Sequence, residues 1–250
     1  MLRLDGVVLR FGGLVAVDNL SVEIKAESIT ALIGPNGAGK TTAFNLISGV
    51  YAPLAGDIMF HGRSIARLRP HQVNEIGIAR TYQNIHLFNG MNVLDNVLVG
   101  RHARTTCGIV HNLLRTRRQQ AEEKKLTEKA YEILEFVGLA EKASEMAQNL
   151  PYGAQKKLEI ARALASDPQL LLLDEPVAGM NAKEKSDVRD FILKIRERGK
   201  TILLVEHDMK IVMDMADVVY VMNYGKRIAA GTPEEVQRNP VVIEAYLGGE

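Results

Sequence analysis

Apolar positions divide the chain into short alternating runs, continuous runs and helical stripes. Leu4, Val7, Val8, Leu9 and Phe11, then Leu20, Val22 and Ile24, read as two strands joined by a Gly12-Gly13 turn. Three continuous runs, Ile29 to Ile33, Leu170 to Leu173 and Thr201 to Val205, have the character of strands buried on both faces of a parallel sheet. Asp57 to Phe60 is a short strand, and Val218 to Met222 with Arg227 to Ala230 forms a last pair. Helical spacing appears from Ala43 to Gly49 and in the stripe Tyr131, Leu134, Val137 and Leu139. It recurs in Leu158, Ala161 and Leu164 or Ala165, in a helix introduced by Pro151. Lys183 to Arg198 turns Val188, Phe191, Ile192 and Ile195 inward and stops at Gly199. Thr232-Pro233-Glu234-Glu235 starts a final helix. Buried strands alternating with helices predict an α/β fold.

Two stretches lack a clear core pattern. Arg63 to Arg69, after the punctuation of Pro53, Gly56 and Gly62, reads as surface connection. Arg101 to Lys129 is polar and partly basic, with Arg115, Arg117, Arg118, Lys124 and Lys125 set against Glu122, Glu123 and Glu128. It reads as a solvated helical face. The alternative is a loop-plus-helix insertion, following Cys107-Gly108 and containing Leu113 and Leu114, that touches a partner or anionic lipid.

The 250 residues suffice for a sizeable core. Lys plus Arg, 31, nearly balances Asp plus Glu, 30, so the net field does not favour a nucleic-acid partner. A single cysteine, Cys107, forms no internal disulfide, and no leader-like segment opens the chain, which fits a reducing cytosol. No stretch approaches the ~20 apolar residues of a membrane span. Any membrane role therefore needs another chain to cross.

Candidate chemistry begins at Gly34-Pro35-Asn36-Gly37-Ala38-Gly39-Lys40-Thr41-Thr42, between a buried strand and a helix start. That is the setting of a phosphate-binding P-loop. Glycines let successive N–H groups converge, and the helix adds roughly half a positive charge at its first turn. Lys40 suits the β and γ phosphates, and the Thr41 hydroxyl suits the magnesium that accompanies ATP. The run Leu170 to Leu173 ends in Asp174-Glu175, at the strand end where ligands of open α/β sheets collect. Asp174 is the natural magnesium partner and Glu175 faces a water aligned on the γ phosphate. Glu206-His207-Asp208 arrives at the same edge, where position makes His207 informative. Gln83, at an apolar-to-polar strand end, suits a metal or an attacking water, or is simply solvated. Phe11 stacks on adenine or belongs to the core; stacking is worth roughly 1–3 kcal/mol per base.

With the P-loop, Gln83, Leu150 to Gln155 ahead of Ile160-Ala161-Arg162-Ala163-Leu164, Asp174-Glu175-Pro176 and His207 in one order, the chain resembles an ATP-binding cassette ATPase. The resemblance covers essentially its whole length. Five further segments narrow it: Arg10-Phe11-Gly12-Gly13, Leu158-Glu159-Ile160-Ala161-Arg162, Ala178-Gly179-Met180-Asn181, Glu206-His207-Asp208-Met209-Lys210 and Glu244-Ala245-Tyr246-Leu247-Gly248. These resemble the ATPase subunit of branched-chain amino-acid importers, and the polar insertion favours the LivG type over its shorter LivF partner. The resemblance implies one nucleotide-binding domain over 1–250: a P-loop NTPase core with a mixed, largely parallel sheet flanked by helices, and an antiparallel β subdomain. A helical subdomain at about 84–165 and a family-specific tail at about 232–250 complete it.

Roles follow from the same resemblance. Phe11 would stack on adenine, Lys40 and the loop from Gly34 to Thr42 would hold the phosphates, and Thr41, Gln83 and Asp174 would surround magnesium. Glu175 would act as general base and His207 as the γ-phosphate switch. Tyr152 and Gly153 would complete the nucleotide site of a second cassette, either the same chain or a LivF-like paralogue. Asn84 to Val99, with Leu87-Phe88 gripping a coupling helix, would face two membrane permeases on the cytoplasmic side, served by an external substrate-binding protein.

Two departures stand out. The usual Leu-Ser-Gly-Gly-Gln is Leu150-Pro151-Tyr152-Gly153-Ala154, which removes a hydroxyl and an N–H from the contact across the dimer. Such a hydrogen bond to a charged group is worth about 1.5–3 kcal/mol. Asn181 replaces the usual aspartate with a neutral side chain. Competing readings are a lipopolysaccharide-exporting ATPase, a chromosome-maintenance or ribosome-associated cassette, and a small-molecule kinase. No sustained heptads separate Gln83 from Leu150, only one cassette is present, and a kinase has no use for a water-activating Glu175.

Overall fold

Strands β1 (Leu2–Phe11) and β2 (Leu14–Ile24) form the hairpin expected around Gly12-Gly13, in a computed structural model that describes residues 1–101 and 117–247. Cys107, Gly108, Leu113, Leu114, Arg115 and Gly248 lie outside those residues, as do the side chains of Arg117 and Arg118. Next come β3 (Ile29–Ile33), α1 (Lys40–Ile47), β4 (Ala55–Phe60) and the two-residue β5 (Arg63–Ser64). The stretch read only as connection thus holds a strand, and Pro70 then opens α2 (Pro70–Glu75), where its missing N–H costs nothing. The chain continues through β6 (Ile78–Arg80), α3 (Val93–Arg101), α4 (Arg117–Val137), α5 (Tyr152–Ala165) and β7 (Leu170–Asp174). The remaining elements are α6 (Ala182–Glu197), β8 (Thr201–Val205), α7 (Met209–Met215), β9 (Val218–Asn223), β10 (Lys226–Gly231), α8 (Pro233–Gln237) and α9 (Pro240–Leu247).

Among the described residues the strands form two sheets. A four-stranded antiparallel sheet runs β2-β1-β4-β5, and a six-stranded sheet runs β10-β9-β3-β8-β7-β6. Within the larger sheet only β10 is antiparallel to its neighbour; β9, β3, β8, β7 and β6 are parallel. Every residue of β3, β7 and β8 is buried, because both sheet faces are covered. Period-two alternation then sends side chains to two separate cores. Ile29, Ala31, Ile33, Leu171, Leu173, Ile202 and Leu204 pack with apolar positions of α3 to α7. Leu32, Leu170, Leu172, Leu203 and Val205 pack with Phe44 and Leu46 of α1 and with the smaller sheet.

Parallel order brings the carboxyl ends of β3, β6, β7 and β8 to one edge. Helix α3 lies against α5, and their backbones nearly touch. A Cβ on Gly100 would sit 2.1 Å from the carbonyl oxygen of Arg162. Gly100→Ala is therefore expected to push α3 off α5 at a cost of about 1–3 kcal/mol. Thermal unfolding checks this, and an unchanged Tm would show that the two helices have slack.

Candidate active site

Gly34 follows β3 with φ +149°, and a Cβ there would fall 2.1 Å from the Met222 carbonyl oxygen. Gly39, at φ +99°, stands at the left-handed position before α1, where a Cβ would fall 2.4 Å from the Ala16 carbonyl oxygen. The loop is thus squeezed between β9 and β2 at positions only glycine occupies without displacement. Gly225 N–H donates to the Ala38 carbonyl at 3.0 Å and Asp18 N–H to the Gly225 carbonyl at 2.9 Å, which pins the β9–β10 turn onto the loop. Among the described residues, no acceptor meets the N–H groups of Gly37, Gly39, Lys40, Thr41 or Thr42. Those donors surround a cavity of about 580 Å³ lined by Phe11, the loop from Asn36 to Thr42, Gln83 and Glu175. The volume suits a nucleotide-sized ligand, and unpaired N–H groups at a helix start select an anion.

Lys40 is buried, its ammonium donating to the Gly34 carbonyl at 2.6 Å and the Pro35 carbonyl at 2.9 Å. Burial lowers its pKa from 10.5, opposed by the nearby carboxylates of Glu175 and Asp174. A buried cation with a third N–H to give is prepared for a phosphate. Phe11 ends β1 half exposed, edge-on to Tyr51 with ring centroids 5.2 Å apart. It is therefore not a core residue, and one side of its ring faces the cavity. Tyr224, 83% exposed in the pinned turn, lines the same cavity and carried no signal in the sequence.

Across the cavity, Gln83 Nε2 donates to Glu175 Oε2 at 2.9 Å, and His207 Nδ1 lies 3.7 Å from Glu175 Oε1. Three residues far apart in the chain thus form one polar cluster. Glu175 holds φ +46°, a strained conformation for a residue with a Cβ. Its N–H donates to the Val205 carbonyl at 3.0 Å, which extends the β7–β8 ladder to the reacting end. Asp174 is buried and its Oδ2 accepts from Arg80 Nη2 at 2.9 Å.

Several supporting residues were not singled out from sequence. Glu206, fully buried, accepts from the N–H groups of Val177 at 3.1 Å, His207 at 3.1 Å and Asp208 at 3.4 Å. It thereby joins the turn after Glu175 to the turn bearing His207. Lys156 and Glu159, a buried pair 3.1 Å apart on α5, grip the segment before Gln83. Lys156 Nζ donates to the Tyr82 carbonyl at 2.9 Å, and Tyr82 N–H donates to Glu159 Oε1 at 3.3 Å. The available signal was a charged residue on the inward stripe of a helix, at Glu159 one residue after Leu158.

A model of the ABC transporter family matches residues 17–178. The chain belongs to that family. A second family model, the branched-chain amino acid ATP-binding cassette transporter, matches residues 226–250. The high-affinity branched-chain amino acid transport ATP-binding protein LivG of Salmonella typhimurium is 45% identical over 249 residues, covering 99% of this chain and 98% of the relative. BraF of Pseudomonas aeruginosa, described likewise, is 43% identical over 249 residues, covering 99% and 98%. Among solved structures, the ADP conformation of MJ1267, an ATP-binding cassette of an ABC transporter, superposes with TM-score 0.88 at 33% identity, covering 100% of this chain and 99% of that one. The α/β architecture with its two sheets is that of an ABC ATPase, and the chain is an ATPase coupled to transport.

Tyr152 and Gly153 are not brought to this cavity. The Tyr152 hydroxyl donates to the Ala178 carbonyl at 3.3 Å, and the nearest neighbour of Gly153 is Glu184. Pro151 stands one residue ahead of α5, at the cap rather than in the first turn, with its carbonyl accepting from Gln155 N–H at 2.9 Å. Asn181 caps α6: its side-chain oxygen accepts from Lys183 and Glu184 N–H, both at 3.0 Å. An uncharged amide performs that capping as well as an aspartate would.

Burial raises the pKa of Glu206 above 4.5, against the pull of its N–H donors. The folded chain then holds that proton more tightly than the unfolded one, so the associated stability is present below pH 4.5 and lost as pH rises through the folded value. Glu206→Gln replaces one accepting oxygen with an NH₂ facing an N–H group. The variant is expected to lose about 1–3 kcal/mol and that pH dependence. Urea unfolding at several pH values above 4.5 measures both.

Proposed function

We propose that this ATPase powers the import of branched-chain amino acids, closing on ATP with a second cassette and opening after hydrolysis. The convergence of Gln83 and Glu175 on the P-loop cavity, with His207 beside Glu175, carries the chemical part of the reading. Lys40 and the loop from Gly34 to Thr42 hold the triphosphate, and Phe11 stacks on adenine. Glu175 accepts a proton from the water that attacks the γ phosphorus, while Gln83 fixes its carboxylate and His207 contacts the γ phosphate. Thr41, Gln83 and Asp174 are the magnesium ligands: a hydroxyl, an amide oxygen and a carboxylate are the hard donors that cation takes. Gln83 spends its NH₂ on Glu175, which leaves its carbonyl oxygen for the ion. When bound, magnesium neutralises charge on the β and γ oxygens.

The amino-acid substrate rests on the relatives and on the matched carboxyl-terminal segment. Those relatives extend over nearly the whole chain, which favours the importer over an exporter, a chromosomal or a ribosomal cassette. No helix among the described residues is long and apolar enough to cross a membrane. The transport path belongs to two permease subunits, as membership of a transporter family implies. A groove of about 540 Å³ between α3, α5 and residues 86–88 supports their docking on the cytoplasmic face. Phe88 is 45% exposed there, with the Arg162 guanidinium 5.5 Å from its ring centroid. The second cassette is a further copy of this chain or a LivF-like partner whose site receives Tyr152 and Gly153. A substrate-binding protein outside the membrane delivers the amino acid.

Glu175→Gln is expected to keep ATP affinity and to lower turnover at least about 10²-fold, the scale of a lost general base. Equal turnover would remove Glu175 from that role. Lys40→Ala is expected to abolish nucleotide binding, as read by equilibrium titration. Tagged protein captured from native membranes should bring two hydrophobic permeases and a second cassette. Ribosomes or DNA complexes in their place would overturn transport.

A further inference from the structure

Arg80 ends β6 with its side chain only 6% exposed. Its Nη2 donates to Asp174 Oδ2 at 2.9 Å, and its Nη1 donates to Asn45 Oδ1 at 2.7 Å and Ser48 Oγ at 3.1 Å. The cation also lies 5.5 Å from the Phe44 ring centroid and 5.0 Å from that of Tyr82. Its Nε is buried without a partner. Taking such a charge out of water costs several kcal/mol, and apolar packing of similar volume is often as stable as a buried ion pair. Stability alone therefore does not account for a guanidinium at this place.

Geometry supplies the missing reason. Thr41, Asn45 and Ser48 stand at i, i+4 and i+7, on one face of the helix that opens with Lys40. Arg80 holds two of those residues and Asp174 with a single rigid fork, which a lysine cannot reproduce. Asp174 Oδ1, by contrast, has no hydrogen bond among the described residues. We infer that Arg80 is a positioning residue for the divalent cation that accompanies ATP: it ties the Thr41 helix face to Asp174 and takes Oδ2, reserving Oδ1 for the ion. The inference rests on the magnesium assignment of Thr41 and Asp174 proposed above.

The test separates nucleotide affinity from the part of it that the cation supplies. A non-hydrolysable ATP analogue is titrated with EDTA and with Mg²⁺ into the intact chain and into Arg80→Met. The expected result is metal-free affinity within about twofold of the original and a loss of at least about tenfold in the gain that Mg²⁺ gives. Mn²⁺ in place of Mg²⁺ should show a weakened, altered electron paramagnetic resonance signal. In an Asp174→Asn background, Arg80→Met should have no further effect on the metal term, since the two act as one unit. A folded Arg80→Met with the full Mg²⁺ gain overturns the inference. If that variant does not fold, Arg80→Lys and Asn45→Ala carry the test: partial loss supports the role, and full retention in both overturns it. Should Asp174→Asn itself leave the metal term unchanged, the assignment of Asp174 fails and this inference with it. Loss in Asp174→Asn beside an unmoved Arg80 series overturns the inference alone.

Discussion

Covering both faces of β3, β7 and β8 is the constraint from which the rest follows. A strand buried on both sides has no place for a charged side chain along its length. Charge is tolerated only where the strand ends. Parallel order makes those ends coincide, so the loop after Ile33, the acidic pair after Leu173 and the turn after Val205 meet without any of them being adjacent in sequence. The same burial supplies rigidity. Glu175, at positive φ, is held by the bond from its N–H to the Val205 carbonyl and by the Glu206 bond to Val177 two residues on.

Collecting polar groups at one edge creates a desolvation problem that the fold answers by partnering its buried polar groups. Arg80 is paired with Asp174, Lys156 with Glu159, and Glu206 with three backbone N–H groups. Removing one partner from such a set leaves the other uncompensated, which is where the large penalties arise. Each set also joins separate elements: α1 to β7, α5 to the segment before Gln83, and the β7 turn to the β8 turn. Tyr82 and Gln83 are therefore held to α5 by backbone hydrogen bonds to a buried ion pair.

Substitutions in the motif at Leu150 to Ala154 take on a different sense in three dimensions. Tyr152 reaches the Ala178 carbonyl in its own chain, beside Gly179. The helix start that is proposed to face a partner's nucleotide is thus tied to the loop leaving this chain's own Glu175. Asn181 likewise serves α6 as a cap, so its neutrality leaves the local structure intact while removing a charge from the proposed dimer interface.

The chain order of motifs and the hydrophobic pattern were enough to determine the α/β class, the hairpin at Gly12-Gly13, the buried strands and the P-loop. Each depends on local spacing: period two, period 3.6, or glycines between a strand and a helix. Phe11, Gln83 and His207 were legible as candidates from their places at strand ends, but their roles came only from the resemblance, because an aromatic, an amide or an imidazole there has several equally local explanations. Tertiary structure alone decided that Gln83 and His207 meet Glu175, and that Arg80 is spent on Asp174 rather than on solvent. It also decided that Glu206, one residue before the more conspicuous His207, is the buried member of the pair. Those facts concern pairs separated by tens of residues, whose contact depends on how the sheet orders its strands. No spacing along the chain encodes that order.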